Sequence, residues 1–191
     1  LTAGCRASKN HLQIAEVNML PYYFVFFAIA ARFLPHAGSF NFTPVAASLL
    51  FFGARMPRKQ AWIPVSLFIV ADILISRFVY GYPLSLSDLV TWSWYAAIVL
   101  LGSLLASNAA PLRVVSASLA ASVSFFAVSN FAVWAIWNMY PKTLAGLGEC
   151  YTMAIPFFRN TAASDLLFAG AFFGLAALLP QLSPKTQSPV A

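Results

Sequence analysis

The sequence predicts an all-α, polytopic membrane helix bundle: six transmembrane segments, the second short or partly re-entrant, plus one interfacial helix. Three observations predict it. First, 61% of the 191 residues are hydrophobic and only 8% are charged. Second, the mean hydropathy of +0.78 is far above that of a soluble domain. Third, the apolar residues fall in blocks of roughly 17 to 25, the length a helix needs to cross about 30 Å of hydrocarbon. No window alternates strictly as a barrel strand would.

The first eighteen residues, LTAGCRASKNHLQIAEVN, are polar beside the rest and form a tail over 1–18. The run Leu-Thr-Ala-Gly-Cys resembles a lipoprotein cleavage site, but no apolar signal region precedes it; the plainer reading is a short tail, with both Leu1 and Met19 open as the natural start. The transmembrane domain spans 19–180. Its segments run Asn18 to Leu34, Phe42 to Ala54, Ala61 to Val79, Asp88 to Ala106, Leu112 to Trp137 and Thr161 to Leu179. Residues 143–158, TLAGLGECYTMAIPFF, are moderately apolar but interrupted by Gly146, Gly148, Glu149 and Pro156, which suits an interfacial helix. Pro180, Pro184 and Pro189 make 181–191 a disordered tail.

Basic residues orient the bundle, because cytoplasmic loops retain Lys and Arg. With the amino terminus inside, Arg6, Lys9, Arg55, Arg58, Lys59, Arg113 and Lys185 are cytoplasmic, leaving Arg32, Arg77, Lys142 and Arg159 on the other side. Both termini are then cytoplasmic, in a bacterial inner membrane. This topological signal, with attraction to anionic lipid, accounts for the net charge of +6 without a nucleic-acid partner.

Helical rise then sets depth. Asp72 lies about 16 Å in from the cytoplasmic face and Arg77 another ~7.5 Å outward, while Ser129 and Asn130 stand roughly 26 Å up the fifth segment. Arg32 ends the first segment outside, Asn41, Thr43 and Pro44 open the second there, and Arg159, Asn160 and Asp165 begin the sixth. The embedded polar residues thus converge on the outer half. A charge facing lipid near mid-membrane costs at least about 2.5 to 3.5 kcal/mol, so these groups face inward in pairs. Two carboxylates and three guanidiniums leave one cation for a solute anion; the bland alternative is that each residue merely ties helices together. Asn and Thr before Pro44 supply an oxygen cap and point a positive helix end at the cavity.

The substrate-binding candidates are therefore Arg32, Asn41, Asp72, Arg77, Asn130, Arg159, Asn160 and Asp165. An aromatic belt explains most tryptophans, with Trp92 and Trp134 as candidates for lining the pocket. Ser116, Ala120 and Ser124, and Ala117 with Ala121, give the fifth segment small faces for close helix packing. Cys5 and Cys150, His11 and His36 have no metal-ligand spacing, and no phosphate loop, GxSxG or HExxH is present. The sequence thus points to no metal, no cofactor and no enzyme.

RFLPHAGSFNFTPVAA, LFFGARMPRKQAW, Asp72 within VADILISR, SNFAVW and PFFRNTAASDLLF together resemble a bacterial family of small six-helix membrane proteins catalogued as a domain of unknown function, over residues 19–180. In architecture the chain is also similar to the substrate-binding components of energy-coupling-factor vitamin transporters. That resemblance implies capture of a small polar or anionic solute from outside and docking on a transmembrane coupling subunit with ATPases. It departs from them in FVFFAIAARF, where Ala28, Ala30 and Ala31 give no clean pair four apart, which moves docking to the fifth segment's small faces. The alternative is a non-catalytic accessory subunit of a larger respiratory or photosynthetic membrane complex.

Overall fold

The structure is a computed structural model and describes residues 19–33, 41–81 and 83–182. The expected tail over 1–18, residues 34–40, residue 82 and the chain after 182 lie outside the described residues. Helices make up the described fold, and no strand occurs among the described residues. Among the described residues the α-helices are, in order, α1 (Met19–Phe33), α2 (Val45–Arg55), α3 (Trp62–Leu74), α4 (Leu86–Ser103), α5 (Pro111–Ile136) and α6 (Leu144–Leu182).

The spans Arg58–Tyr80, Leu86–Ser103, Pro111–Ile136 and Leu144–Leu179 are each long and apolar enough to cross a membrane. Their outer faces carry large apolar side chains into the surroundings, among them Trp62, Phe78, Leu112 and Leu144. An apolar circumference of this extent marks a membrane protein.

At the centre lies α2, only 11 residues long and buried on every side from Val45 to Ala54. A helix apolar all round needs cover on all faces, and here α4 and α6 provide most of it. At about 1.5 Å per residue α2 is too short to cross alone, in keeping with the short second segment read from sequence. Its contact with α4 is backbone to backbone: a methyl group added at Gly53 would fall on the carbonyl oxygen of Val99, and one at Gly102 on that of Leu50. Rings tie α1 and α6 to it, with Phe51 edge-on to Phe24 at 5.0 Å and to Phe173 at 5.1 Å.

The helix starts reflect local chemistry. The amide of Ser85 donates to the Asp88 carboxylate at 2.7 Å, closing the first turn of α4. Asp88→Ala is therefore expected to lower stability by about 1 kcal/mol, read as a small drop in the melting temperature of the detergent-solubilised protein. The oxygen cap expected from Asn41 and Thr43 does not form: Pro44 is the capping residue of α2 and no side chain bonds the first-turn amides. Asn41 instead takes a left-handed backbone, φ 62°, a conformation its short polar side chain tolerates.

The helices depart from the sequence reading in two places. After Leu74 the chain widens into a π-helical segment, Ile75–Tyr80, before Gly81 turns it at φ 69°. The expected interfacial helix over 143–158 is not a separate element, because Leu144–Leu182 is helical throughout its 39 residues. Pro156 removes only one amide donor, and a membrane helix tolerates that loss when neighbours re-satisfy the freed carbonyl.

Candidate functional site

Arg32 stands on the last turn of α1, Asp72 late in α3, and Trp92 and Tyr95 one turn apart on α4. Packing brings all four together. The guanidinium of Arg32 forms an ion pair with Asp72 Oδ1. The Tyr95 hydroxyl and the Trp92 indole N–H each donate to Asp72 Oδ2 at 3.0 Å. Arg32 Nη1 also donates to the Tyr95 oxygen at 3.3 Å. Oδ2 thus accepts from two donors of α4, while Oδ1 faces the guanidinium of α1 and has no hydrogen-bond partner beyond that ion pair. A charged pair withdrawn from water is retained only with such partners. Phe68, one turn before Asp72, packs on the Tyr95 ring at 5.4 Å and fixes the register of α3 against α4.

In front of this cluster is a hollow of about 160 Å³ between the end of α1, the start of α2 and the inner faces of α4, α5 and α6. Arg32, Asn41, Thr43, Thr91, Thr161 and Asp165 supply its polar wall, and Trp94, Tyr95 and Phe125 its aromatic one. Val45 and Ala46 also border it, so the uncapped amino-terminal end of α2 opens into the hollow. An adjoining hollow of about 190 Å³ shares Asn41, Phe125 and Thr161 and reaches Ser122, Ser129 and Asn130.

Asp165 is 2% exposed. The Ser122 hydroxyl lies 2.6 Å from its Oδ2 and 3.1 Å from the Ser118 carbonyl, so a single hydroxyl proton serves both acceptors. The second ion pair expected from sequence does not form: among the described residues the only Lys or Arg paired with an acid is Arg32, and its partner is Asp72. Asp165 is consequently a buried acid bonded to a neutral hydroxyl.

Of the eight substrate-binding candidates, Arg32, Asn41 and Asp165 border the main hollow and Asn130 the adjoining one. The Asn130 amide spends one hydrogen on its own helix, donating to the Phe126 carbonyl at 2.8 Å. Asp72 sits behind Arg32 as its counter-charge. Arg77, Arg159 and Asn160 border neither hollow, and the two arginines are exposed. The cause is helical phase. Along an unbroken α6, Arg159 is about 120° from Asp165 around the axis, whereas Phe158, Thr161 and Asp165 at spacings of three and four share one face. Arg77 falls in the π-helical segment, where Phe78, Val79 and Tyr80 are exposed beside it.

The aromatic assignments also shift. Trp92 does not border either hollow; its N–H holds Asp72. Trp134 donates instead to the Pro141 carbonyl at 2.9 Å, near the Lys142 ammonium that closes the end of α5 on the carbonyls of Trp134 and Trp137. The rings at the hollow are Trp94, Tyr95 and Phe125, with Trp94 packed on Phe125 at 4.7 Å and anchored by its N–H on Ser124. Thr91, Trp94 and Tyr95 lie at i, i+3 and i+4 and so share a helix face, a spacing already present in TWSWY, residues 91–95.

Among the described residues no three of His, Cys, Asp and Glu gather as a metal would require. The hollow's chemistry is therefore that of hydrogen bonds, one acid, one neutralised guanidinium and aromatic faces.

Residues 13–188 match a family described as a family of unknown function, DUF6580. The chain belongs to this family. No curated protein and no solved structure matches it. For a DUF6580 member, then, function has to be argued from the hollow itself.

Proposed function

We propose that this protein is an integral protein of the cytoplasmic membrane that captures a small polar solute from the outer side, in the hollow between α1, α2, α4, α5 and α6. The observation that carries the reading is that Arg32 and Asp165, distant in sequence, border one cavity together with hydroxyl, amide and aromatic groups. Polar groups in a membrane bundle are costly, and their collection around a cavity, beyond the bonds Arg32 makes to α3 and α4 and Asp165 makes to α5, favours a ligand.

Charge distribution supports the outward opening. Arg58 donates to Ser103 at 3.1 Å and Arg113 to the Leu104 carbonyl at 3.1 Å, which gathers the α2–α3 and α4–α5 turns at the carboxyl end of α2 with Arg55. The hollow lies at the opposite end of α2. Basic turns remain cytoplasmic, so the hollow faces out.

The test is native mass spectrometry of the protein in lipid nanodiscs, where a retained small solute is expected. Filling the cavity by Thr91→Leu with Thr161→Leu is expected to reduce retention at least about tenfold, equivalent to about 1.4 kcal/mol. Unchanged retention in that folded variant would place the solute elsewhere and remove this reading.

A second reading, a subunit of a larger membrane assembly, has its own observation. The crevice between α5 and α6, about 320 Å³, is lined by Gly170 and Gly174 with open space where side chains would stand, and by the buried Ser118 hydroxyl, which has no hydrogen-bond partner. Ser116 and Ala120 are exposed on the same α5, so small residues are available for close approach of another helix, a coupling subunit with ATPases included. Co-purification of a partner from membranes, lost on Gly170→Leu while solute retention persists, would establish it.

A further inference from the structure

We infer that the solute is a small zwitterion, its ammonium group held by Asp165 and its anionic group held at the start of α2 beside Arg32. The inference rests on the solute-binding reading and adds the ligand's charge pattern.

Asp165 is the first half. It borders the hollow, is almost wholly buried, and has a hydroxyl rather than a cation as its partner. A carboxylate withdrawn from water needs a compensating charge, and an ammonium group entering the hollow supplies one with hydrogen bonds. The Trp94, Tyr95 and Phe125 rings on the same wall present the aromatic faces that attract a cation. Arg32 borders the same hollow but forms its ion pair with Asp72, not with Asp165.

The second half is the amino-terminal end of α2. Its first-turn amides have no side-chain cap, and Val45 and Ala46 border the hollow. Free amides and the positive end of a helix favour an anionic oxygen. Arg32 borders the same hollow, and its bonds to Asp72 and Tyr95 both run through Nη1, so its fork retains donors. A solute with a single charge would satisfy one end and leave the other desolvated. A solute with both charges satisfies each and adds no net charge to the bundle.

A free amino acid and the head of a phosphatidylethanolamine lipid share this chemistry. The experiment is calorimetric titration of the full chain in phosphatidylglycerol nanodiscs with glycine, β-alanine, γ-aminobutyrate and O-phosphoethanolamine, each beside the analogues lacking its amine or its anionic group. At least one zwitterion is expected to bind at least tenfold more tightly than both of its analogues. Asp165→Asn is expected to reduce that zwitterion to the affinity of its deaminated analogue, and Asp165→Glu to restore part of the difference. If phosphatidylethanolamine nanodiscs suppress binding of the free probe, the lipid head is the natural occupant; if they do not, a soluble zwitterion is, and both results uphold the inference. Equal binding of a singly charged analogue at every chain length, or no binding by any of the four, overturns it using the unmodified protein alone. In either event a neutral or singly charged solute retained in mass spectrometry, and lost on filling the cavity, leaves the solute-binding reading intact.

Discussion

Arg32→Ala is expected to lower the stability of the bundle by about 3 to 5 kcal/mol, the usual cost of leaving a buried charge without its partner. The Asp72 carboxylate would keep the Trp92 and Tyr95 donors but lose its only ion-pair partner among the described residues. Its position between α1, α3 and α4 means that the loss is borne at the junction of three helices. Asp72→Ala should cost less, because the guanidinium it strands is only partly buried and borders the hollow. The double variant Arg32→Met with Asp72→Asn removes both charges with similar volume, keeps an amide oxygen to accept from Trp92 and Tyr95, and is expected to recover most of the loss. Thermal unfolding of the four proteins in one detergent measures the coupling. A loss below about 1 kcal/mol for Arg32→Ala, the value of an exposed pair, would show that water reaches the cluster.

Gly53→Ala is the second large effect. The added methyl group would coincide with the Val99 carbonyl oxygen, and the obstacle is backbone, so no rotamer change relieves it. Separating α2 from α4 is the remaining response, and it opens the most buried helix of the bundle. Overpacking of a core typically costs about 1 to 3 kcal/mol, and a rigid backbone contact belongs at or above the upper end. Gly102→Ala meets Leu50 in the same way from the other helix. Gly148→Ala and Gly174→Ala serve as controls, because a methyl group at either meets nothing within 4 Å. They should be neutral or raise stability by about 0.5 to 1 kcal/mol, the helix preference of Ala over Gly. If Gly53→Ala unfolds no earlier than these controls, α2 and α4 do not approach as closely as described.

Much of the site was legible from depth alone. Arg32, Asn41, Asp72 and Asp165 are polar residues that a membrane helix could not leave in lipid, and all four belong to the hollow or to the ion pair behind it. Arg77 and Arg159 pass the same test of depth and still stand apart. Depth gives the position along a helix axis, whereas membership of a cavity also needs the angle around it. That angle was lost at Pro156, where a break in the sequence pattern suggested two helices and the chain makes one. Across an assumed break the phase is undefined; along a continuous helix Thr161 and Asp165 share a face and Arg159 does not.

Tyr95 and Trp94 show a second limit. Their aromatic rings fit a membrane interface as well as a pocket wall, and nothing local distinguishes the two. The partners decide: Asp72 for the Tyr95 hydroxyl, Ser124 for the Trp94 N–H.

What the sequence determined by itself was the helical class, the apolar spans and the segments that contribute polar residues, because hydropathy and rise per residue are properties of each segment alone. The tertiary structure decided which acid is neutralised by a guanidinium, which one borders the hollow, and which rings line it. Those outcomes depend on helix phase and on the approach of helices distant in the chain, and α2 can lie close enough to α4 only because glycines stand at the contact.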